Sequence, residues 1–366
     1  MQTPLSDVYR GRRVLITGHT GFKGSWLSQW LVQLGASVRG YSLEPPTEPS
    51  LFNQLGLESQ LDDARGDIRD RAKLLNEIQA FNPEFVFHLA AQSLVRQSYK
   101  QPIETYETNL MGTINLLEAI REAGRSTIVV AVTTDKCYEN REWHFGYREK
   151  DSLGGADPYS SSKAMAELAV NAYRQSYLMA IGVKVASARA GNVIGGGDWA
   201  CDRIVPDCVR ALSHAEMIAV RNPHATRPWQ HVLEPLLGYL WLAAELSTEK
   251  DPARQLALQS AFNFGPTSQS NRSVAELVNE ILRNWPGDWQ DQSSGGQPHE
   301  AKLLHLSVDK AASLLKWHPR LTFTETIEMT IQWYRRVVER EENARELTLK
   351  QIRQYEQTLT GANVAL

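Results

Sequence analysis

The chain reads as an α/β protein: a doubly wound parallel sheet with a smaller, interleaved substrate-binding lobe. Three observations predict this. Short apolar runs that read as buried strands alternate with amphipathic stretches of helical spacing. The first run, "RRVLITG", opens directly into a glycine-rich turn and a helical pattern, "GHTGFKGSWLSQWLVQLG", the arrangement of a Rossmann-type sheet. The 366 residues suffice for one large domain or two ordinary ones, each with its own core.

Taken in order, the strand runs are "RRVLITG", "ASVRGYS", "EFVFHLA", "TIVVAV" and "VKVASAR", and "AFNFGP" returns as one more strand with its stop. Gln101 to Gly124 has helical spacing, with Leu110, Ile114, Leu117 and Ile120 apolar and Gly124 as the stop. After Arg189 the texture becomes Gly-rich, Trp-containing and loop-like, "AGNVIGGGDWACDRIVPD", until a helical run begins near His231. From Phe323 a charged pattern predicts one long, solvated closing helix. "QDQSSGGQPHE" reads as a mobile loop.

Composition narrows the class. A hydrophobic fraction of 42%, a charged fraction of 22% and a net charge of -3 exclude disorder and give no electrostatic reason to expect nucleic acid or a membrane surface. The expected partner is a small molecule or another subunit. Cys137, Cys201 and Cys208 show neither paired spacing nor a neighbouring His cluster, so neither a disulfide framework nor a metal site is expected. The N-terminal residues lack an apolar signal core, and no run approaches the roughly 20 apolar residues of a membrane helix. The expected location is cytoplasmic.

The first turn carries the cofactor expectation. Gly18, Gly21 and Gly24 form a G-x-x-G-x-x-G turn, with Thr20, Phe22 and Lys23 between them, at the start of a helix. Glycines let the backbone approach a pyrophosphate, whose charge meets the helix N-terminus. "GDIRD" offers Asp67 and Ile68 at the end of a short strand, able to meet adenine by a hydrogen bond and an apolar wall. "HLAAQ" places Leu89, Ala90 and Ala91 where a backbone passes close to a cofactor. The second strand should end in an acidic residue for the adenosine ribose, yet it supplies Ser42. Arg39 is a poor candidate for a 2'-phosphate, so NAD is expected over NADP. Residues 1–188, with a returning segment at about 229–264, are then the NAD-binding half; 189–228 and 265–366 form the other.

"PYSSSKAMAEL" places Tyr159 and Lys163 four apart, on one helix face. A free tyrosine, with a pKa of about 10, is a poor base at neutral pH, and a neighbouring ammonium favours its phenolate. Alone, such a pair reads as an exposed helix face.

Together, "TGHTGFKG", "GDIRD", "HLAAQ", Tyr159 with Lys163, and "ARAGNVIG" resemble the extended short-chain dehydrogenase/reductase family that acts on nucleotide sugars, over nearly the whole chain. The resemblance implies that Tyr159 deprotonates a sugar hydroxyl, that Lys163 supports it and contacts the nicotinamide ribose, and that Thr134 hydrogen-bonds the same hydroxyl. It implies Asn192 and Arg227, with Arg203, as donors to a nucleoside diphosphate, although an arginine such as Arg227 also serves to satisfy a loop. Gln92, Ser93 and Arg96 line the sugar pocket or cap the following helix. His231 reads as structural. A homodimer or homotetramer, built through a four-helix contact, is implied as well.

"TTDKCYEN" discriminates within the family. Its 4,6-dehydratases carry an acidic residue and a second ionisable residue after the threonine, here Asp135 and Lys136. With "NPHATRPWQHV", the stretch resembles the members that act on CDP-glucose. That resemblance implies C4 oxidation, elimination of water across C5 and C6 with Asp135 as the acid, and hydride return to C6. Lys136 is either a neutral base, through a depressed pKa, or a charge that stabilises the enolate. Other family dehydratases and 4-epimerases are the alternative, and a non-catalytic dinucleotide-binding regulator is a third reading.

Overall fold

The computed structural model describes residues 4–293 and 303–361. Six strands alternate with helices through the first half: β1 Arg13–Thr17, β2 Ser37–Ser42, β3 Asp62–Arg65, β4 Phe85–His88, β5 Ile128–Val132 and β6 Lys184–Arg189. The chain then makes the short strands β7 Val193–Ile194, β8 Ile218–Val220, β9 Thr226–Pro228 and β10 Gln230–His231. It returns to the main sheet as β11 Ala261–Asn263, and ends its strands with β12 Asn271–Ser273 and β13 Trp289–Asp291. The seven-stranded sheet has the order β11-β6-β5-β4-β1-β2-β3, and every pairing in it is parallel. Strand order reverses between β1 and β4, which opens a crevice at their carboxyl ends.

The expected double winding follows from side-chain alternation. Ile16, Phe87, Val130 and Ala186 point into one core with Trp26, Trp30 and Leu237. Leu15, Val86, Val129 and Val185 point into the other with Leu116, Leu117 and Ile120. Both faces are dry, which is why the strands read as continuous apolar runs rather than alternating ones.

Several elements differ from the sequence reading. Gln101–Gly124 is helical but interrupted: Pro102–Tyr106, a π-turn at Glu107–Met111, then Gly112–Ala123, closed by Gly124 at φ +62°. Leu117 and Ile120 are buried, whereas Leu110 and Ile114 are only half-buried. The stretch after Arg189, read as loop, holds the helix Ile204–Ser213; its Pro206 lies in the first turn, where a missing N–H costs nothing.

The solvated closing helix is overturned. Two helices, Phe323–Val338 and Ala344–Gly361, take its place, and Ile327, Ile331, Trp333 and Tyr334 are fully buried. Their apolar stripe was outweighed in the composition by the charges on the outer face. The second helix reaches back to the first sheet-covering helix, Phe22–Gln33, where Trp30 Nε1 donates to Glu356 at 2.8 Å. Of the expected loop "QDQSSGGQPHE", Gln290 and Asp291 belong to β13, and 294–300 lie outside the described residues.

Candidate active site

The glycine turn closes on the sheet's crevice. A Cβ at Gly18, which sits at φ +77°, would lie 2.6 Å from Ala90 N, and one at Gly24 would lie 2.1 Å from Gly18 O. These two glycines let the turn, the helix and the β4 loop pack together. At Gly21 the nearest atom would be 3.5 Å away, so its missing side chain leaves open space beside the N-terminus of the Phe22–Gln33 helix. That N-terminus has no side-chain cap, and its free N–H groups suit a pyrophosphate. The residues present therefore fit a dinucleotide.

At the end of β2, Thr20 Oγ1 donates to Leu43 O at 3.1 Å and lies 2.8 Å from Ser42 Oγ. Ser42 then donates to Thr20 and keeps its own lone pairs for a ribose hydroxyl. Arg39 is spent on Asp62 and Glu77. At Asp67, Arg69 clamps the carboxylate through Nη2 at 2.6 Å and its backbone N–H at 2.8 Å, holding it below the usual carboxylate range. Ile68 is buried and presses on Gly112, where a Cβ would come within 2.6 Å of it.

His88 supports the "HLAAQ" loop from beneath. Thr113 donates to Asn109 O at 2.7 Å, so its hydroxyl accepts from His88 Nε2 at 3.0 Å, and Nδ1 accepts from Thr17 at 2.7 Å. The ring is neutral, its pKa pushed down to about 3 by burial and then by Lys163.

β5 delivers Thr133 to Cys137 into the crevice. Thr134 caps a short 3-10 turn, Asp135–Cys137, accepting from Lys136 N at 3.3 Å and donating to Asp135 Oδ1 at 3.0 Å. Asp135 is fully buried, and its Oδ2 has no hydrogen-bond partner among the described residues. Tyr159 and Lys163 rise from the helix Pro158–Tyr173, whose N-terminus is fixed by Asp157 accepting from Ser160 N at 2.9 Å. Burial pushes the Tyr159 phenol up to about 12, and the hydrogen bond to Thr134 draws it down. The expected lowering by Lys163 is not what governs it: the Lys163 ammonium donates to Val132 O at 3.3 Å and is itself held near 8 by burial.

A buried network holds this loop and helix in register. Glu167, one turn after Lys163, pairs with Arg189 at 2.8 Å and accepts from Thr133 and Ser187. Arg189 Nη1 donates to the Tyr138 hydroxyl at 2.7 Å, and Tyr138 donates to Asn263 at 2.7 Å.

Thr134, Asp135, Lys136 and Tyr159 line one cavity of about 910 Å³ together with Lys23, Ser93, Asn192, Arg203 and Arg227. Asn192 sits at φ +45° with its Nδ2 buried and unpartnered. Arg203 pairs with Asp198 at 2.7 Å and donates to Ser93 Oγ at 3.1 Å, bridging the two sides of the mouth. Of the two readings of Gln92, the contacts favour the one at the following helix: its side chain donates to Thr105 at 3.0 Å and accepts from Leu94 N, at the start of Val95–Lys100, at 2.6 Å. His231 is buried against the Trp26 ring edge, its pKa pushed down to about 3 by burial, in a structural role. Sequence reasoning gave no role to Asp198, Gly191 and Tyr334, which line the same cavity; Gly191 lies within the "ARAGNVIG" motif, whose Asn192 alone was singled out. Among the described residues, no group of three or more His, Cys, Asp and Glu is placed to hold a metal, and no helix is long and apolar enough to cross a membrane.

Known proteins with this architecture include a dTDP-glucose 4,6-dehydratase from Bacillus anthracis, solved in complex with NAD (TM-score 0.74, 21% identity, 90% of this chain and 98% of that one). A UDP-glucose 4-epimerase from Thermotoga maritima is similar at TM-score 0.74 and 20% identity, over 89% of this chain and 99% of that one. At such identities the likeness speaks for the fold. Sequence similarity goes further: a CDP-glucose 4,6-dehydratase from Salmonella typhimurium is 49% identical over 335 residues, 90% of this chain and 92% of its own length. A dTDP-glucose 4,6-dehydratase from Streptomyces antibioticus is 30% identical over 88% of this chain and 92% of its own length. With residues 15–330 matched by the family model described as GDP-mannose 4,6 dehydratase, and a glycine turn, threonine loop and Tyr-Lys helix meeting at one crevice, this chain belongs to that family.

Proposed function

We propose that the protein is an NAD-dependent CDP-glucose 4,6-dehydratase, converting CDP-D-glucose to CDP-4-dehydro-6-deoxy-D-glucose and water. The observation that carries this reading is the meeting of the Asp135 carboxyl, Lys136 and Tyr159 in one cavity, in a chain 49% identical to a CDP-glucose 4,6-dehydratase. Gly18, Gly21 and Gly24 hold the dinucleotide, with Ser42 and Thr20 at its ribose. Bound NAD supplies the hydride acceptor for C4 and the hydride donor for C6, so it ends the cycle unchanged.

The chain's own groups handle the protons. Tyr159 Oη takes the C4 hydroxyl proton, with Thr134 bonded to the same oxygen. The C4 ketone acidifies the C5 proton, which leaves with Lys136 beside it, either as the base that takes it or as the charge that stabilises the enolate. Asp135 donates a proton to the C6 hydroxyl, which leaves as water, and C5 regains a proton as C6 is reduced. Asn192, Arg203 and Arg227 meet the diphosphate. Residues 1–188 with 229–264 serve the cofactor, and the remaining segments serve the nucleotide sugar. The enzyme works in the cytoplasm as a homodimer or homotetramer, joined through the half-buried and exposed apolar residues of the Gly112–Ala123 and Pro158–Tyr173 helices.

The test is incubation with CDP-, UDP-, dTDP- and GDP-linked hexoses and NAD. A 4-keto-6-deoxy product from CDP-glucose alone is expected. A C4 epimer without loss of water, or a clear preference for another nucleotide, overturns the assignment.

A further inference from the structure

We propose that Gly191 is a positioning residue for the elimination step: the absent side chain at this position is what gives the Asp135 carboxyl its place in the cavity wall, from which it serves the leaving hydroxyl. The inference rests on the dehydratase reading and adds a residue to it. A Cβ at Gly191 would lie 1.8 Å from Asp135 Oδ2, 2.0 Å from its Cγ and 2.3 Å from Oδ1, so the carboxyl lies flat against the glycine Cα. The backbone itself does not call for glycine here. Gly191 is not among the glycines in the left-handed region, which include Gly18, Gly182 and Gly197. Space, rather than φ, fixes the residue type.

Neither wall of this contact gives way easily. Behind Gly191, the Gln230 amide donates to Gly191 O and to Phe264 O, both at 3.0 Å, and Gln230 N donates to Asn192 O at 3.3 Å. Gln230 is buried and pairs with Val193 in the β7–β10 bridge. On the other side, the turn carrying Asp135 is capped by Thr134. The part free to move is the short Asp135 side chain, held at Oδ1 by Thr134 alone and unpartnered at Oδ2. A methyl group at 191 therefore displaces the carboxyl from this place, while Tyr159 and Lys163, on their own helix, keep theirs.

The experiment is a single-turnover reaction of the NAD-loaded enzyme with CDP-glucose, quenched and read by mass spectrometry, on wild type, Gly191→Ala, Asp135→Asn and the double variant. Wild type gives the 4-keto-6-deoxy sugar. Gly191→Ala is expected to slow water loss at least ~10-fold, within the ~10²–10⁴-fold that a placed general acid contributes, and to accumulate a 4-keto hexose that retains its C6 hydroxyl. In the Asp135→Asn background the same change is expected to add less than about 2-fold, because two residues acting through one group are non-additive. Elimination at the wild-type rate in Gly191→Ala, or an equal further loss in the Asp135→Asn background, overturns the proposal. Should Gly191→Ala not fold, Gly191→Ala with Asp135→Ala removes the carboxyl that the methyl strikes. Recovery of folding in that pair supports the contact, and failure to recover sinks it. If wild type forms no 4-keto-6-deoxy product, the dehydratase reading itself falls; if only the variants behave as wild type, the reading stands and the role of Gly191 falls.

Discussion

Tyr159 and Lys163 move in opposite directions, and this sets the pH behaviour of the chemistry. With Lys163 held near 8 by burial, its charge is present below that pH and lost above it, so kcat/KM for the free enzyme should fall on an alkaline limb beginning near pH 8. Lys163→Arg, which stays charged, should move that limb upward even where it lowers the plateau. Just after the end of β5, Lys136→Met should abolish solvent deuterium exchange at C5 with C4 oxidation intact, and unchanged turnover would remove Lys136 from the mechanism. His88 gives an acid-side prediction. Its folded pKa of about 3 lies below the unfolded value near 6.5, so its contribution to stability is complete above about pH 6.5 and is lost as pH falls toward 3. A His88→Gln variant should show a flatter loss of Tm over that window. The candidate catalytic residues were legible because their spacing is local: a strand end and an i, i+4 pair. The role of Gly191 was not, although it lies in the "ARAGNVIG" motif, since it rests on the approach of Asp135 from a distant part of the chain, and the pairing of Asp67 with Arg69 was hidden because it depends on the turn the two share.

Among elements, the Thr133–Cys137 loop and the Pro158–Tyr173 helix depend on the ion pair between Glu167 and Arg189, whose side chains are only 3% and 4% exposed. Removing one partner of such a pair leaves an uncompensated buried charge, so Arg189→Met should cost about 3–5 kcal/mol in urea unfolding, with kcat falling further than the fraction folded. The helix Leu233–Thr248 carries a second buried carboxylate: Glu234 accepts from Arg320 N at 2.8 Å, Leu321 N at 2.7 Å and the Tyr355 hydroxyl at 2.7 Å. Tyr355→Phe strips one of these donors and should cost about 1–3 kcal/mol, measured in the same way. Strand and helix runs were readable because both sheet faces are dry and the strand runs are accordingly apolar. The two closing helices were misread because their buried stripe of Ile327, Ile331 and Tyr334 is set among charges, and only its helical spacing distinguishes it from a solvated face.

For the whole molecule, the exposed apolar side chains fall unevenly. Met165 and Leu168 on the catalytic helix are 41% and 58% exposed, and Ile103 and Met111, just before the Gly112–Ala123 helix, are 74% and 46% exposed. Exposed apolar side chains on these elements would suit the proposed contact with another copy. On the proposed assembly, Leu168→Glu should convert the oligomer to monomer in sedimentation velocity while the NAD cradle stays folded. The bond from Trp30 to Glu356, spanning 326 positions, bears on how the protein is made. The earliest helix of the sheet is synthesised long before the last helix that covers it, so its two tryptophans leave the ribosome without their final neighbours. Nascent chains stalled before Ala344 should therefore remain open to protease and drawn to chaperones, and resistance should appear only after the final helix has emerged.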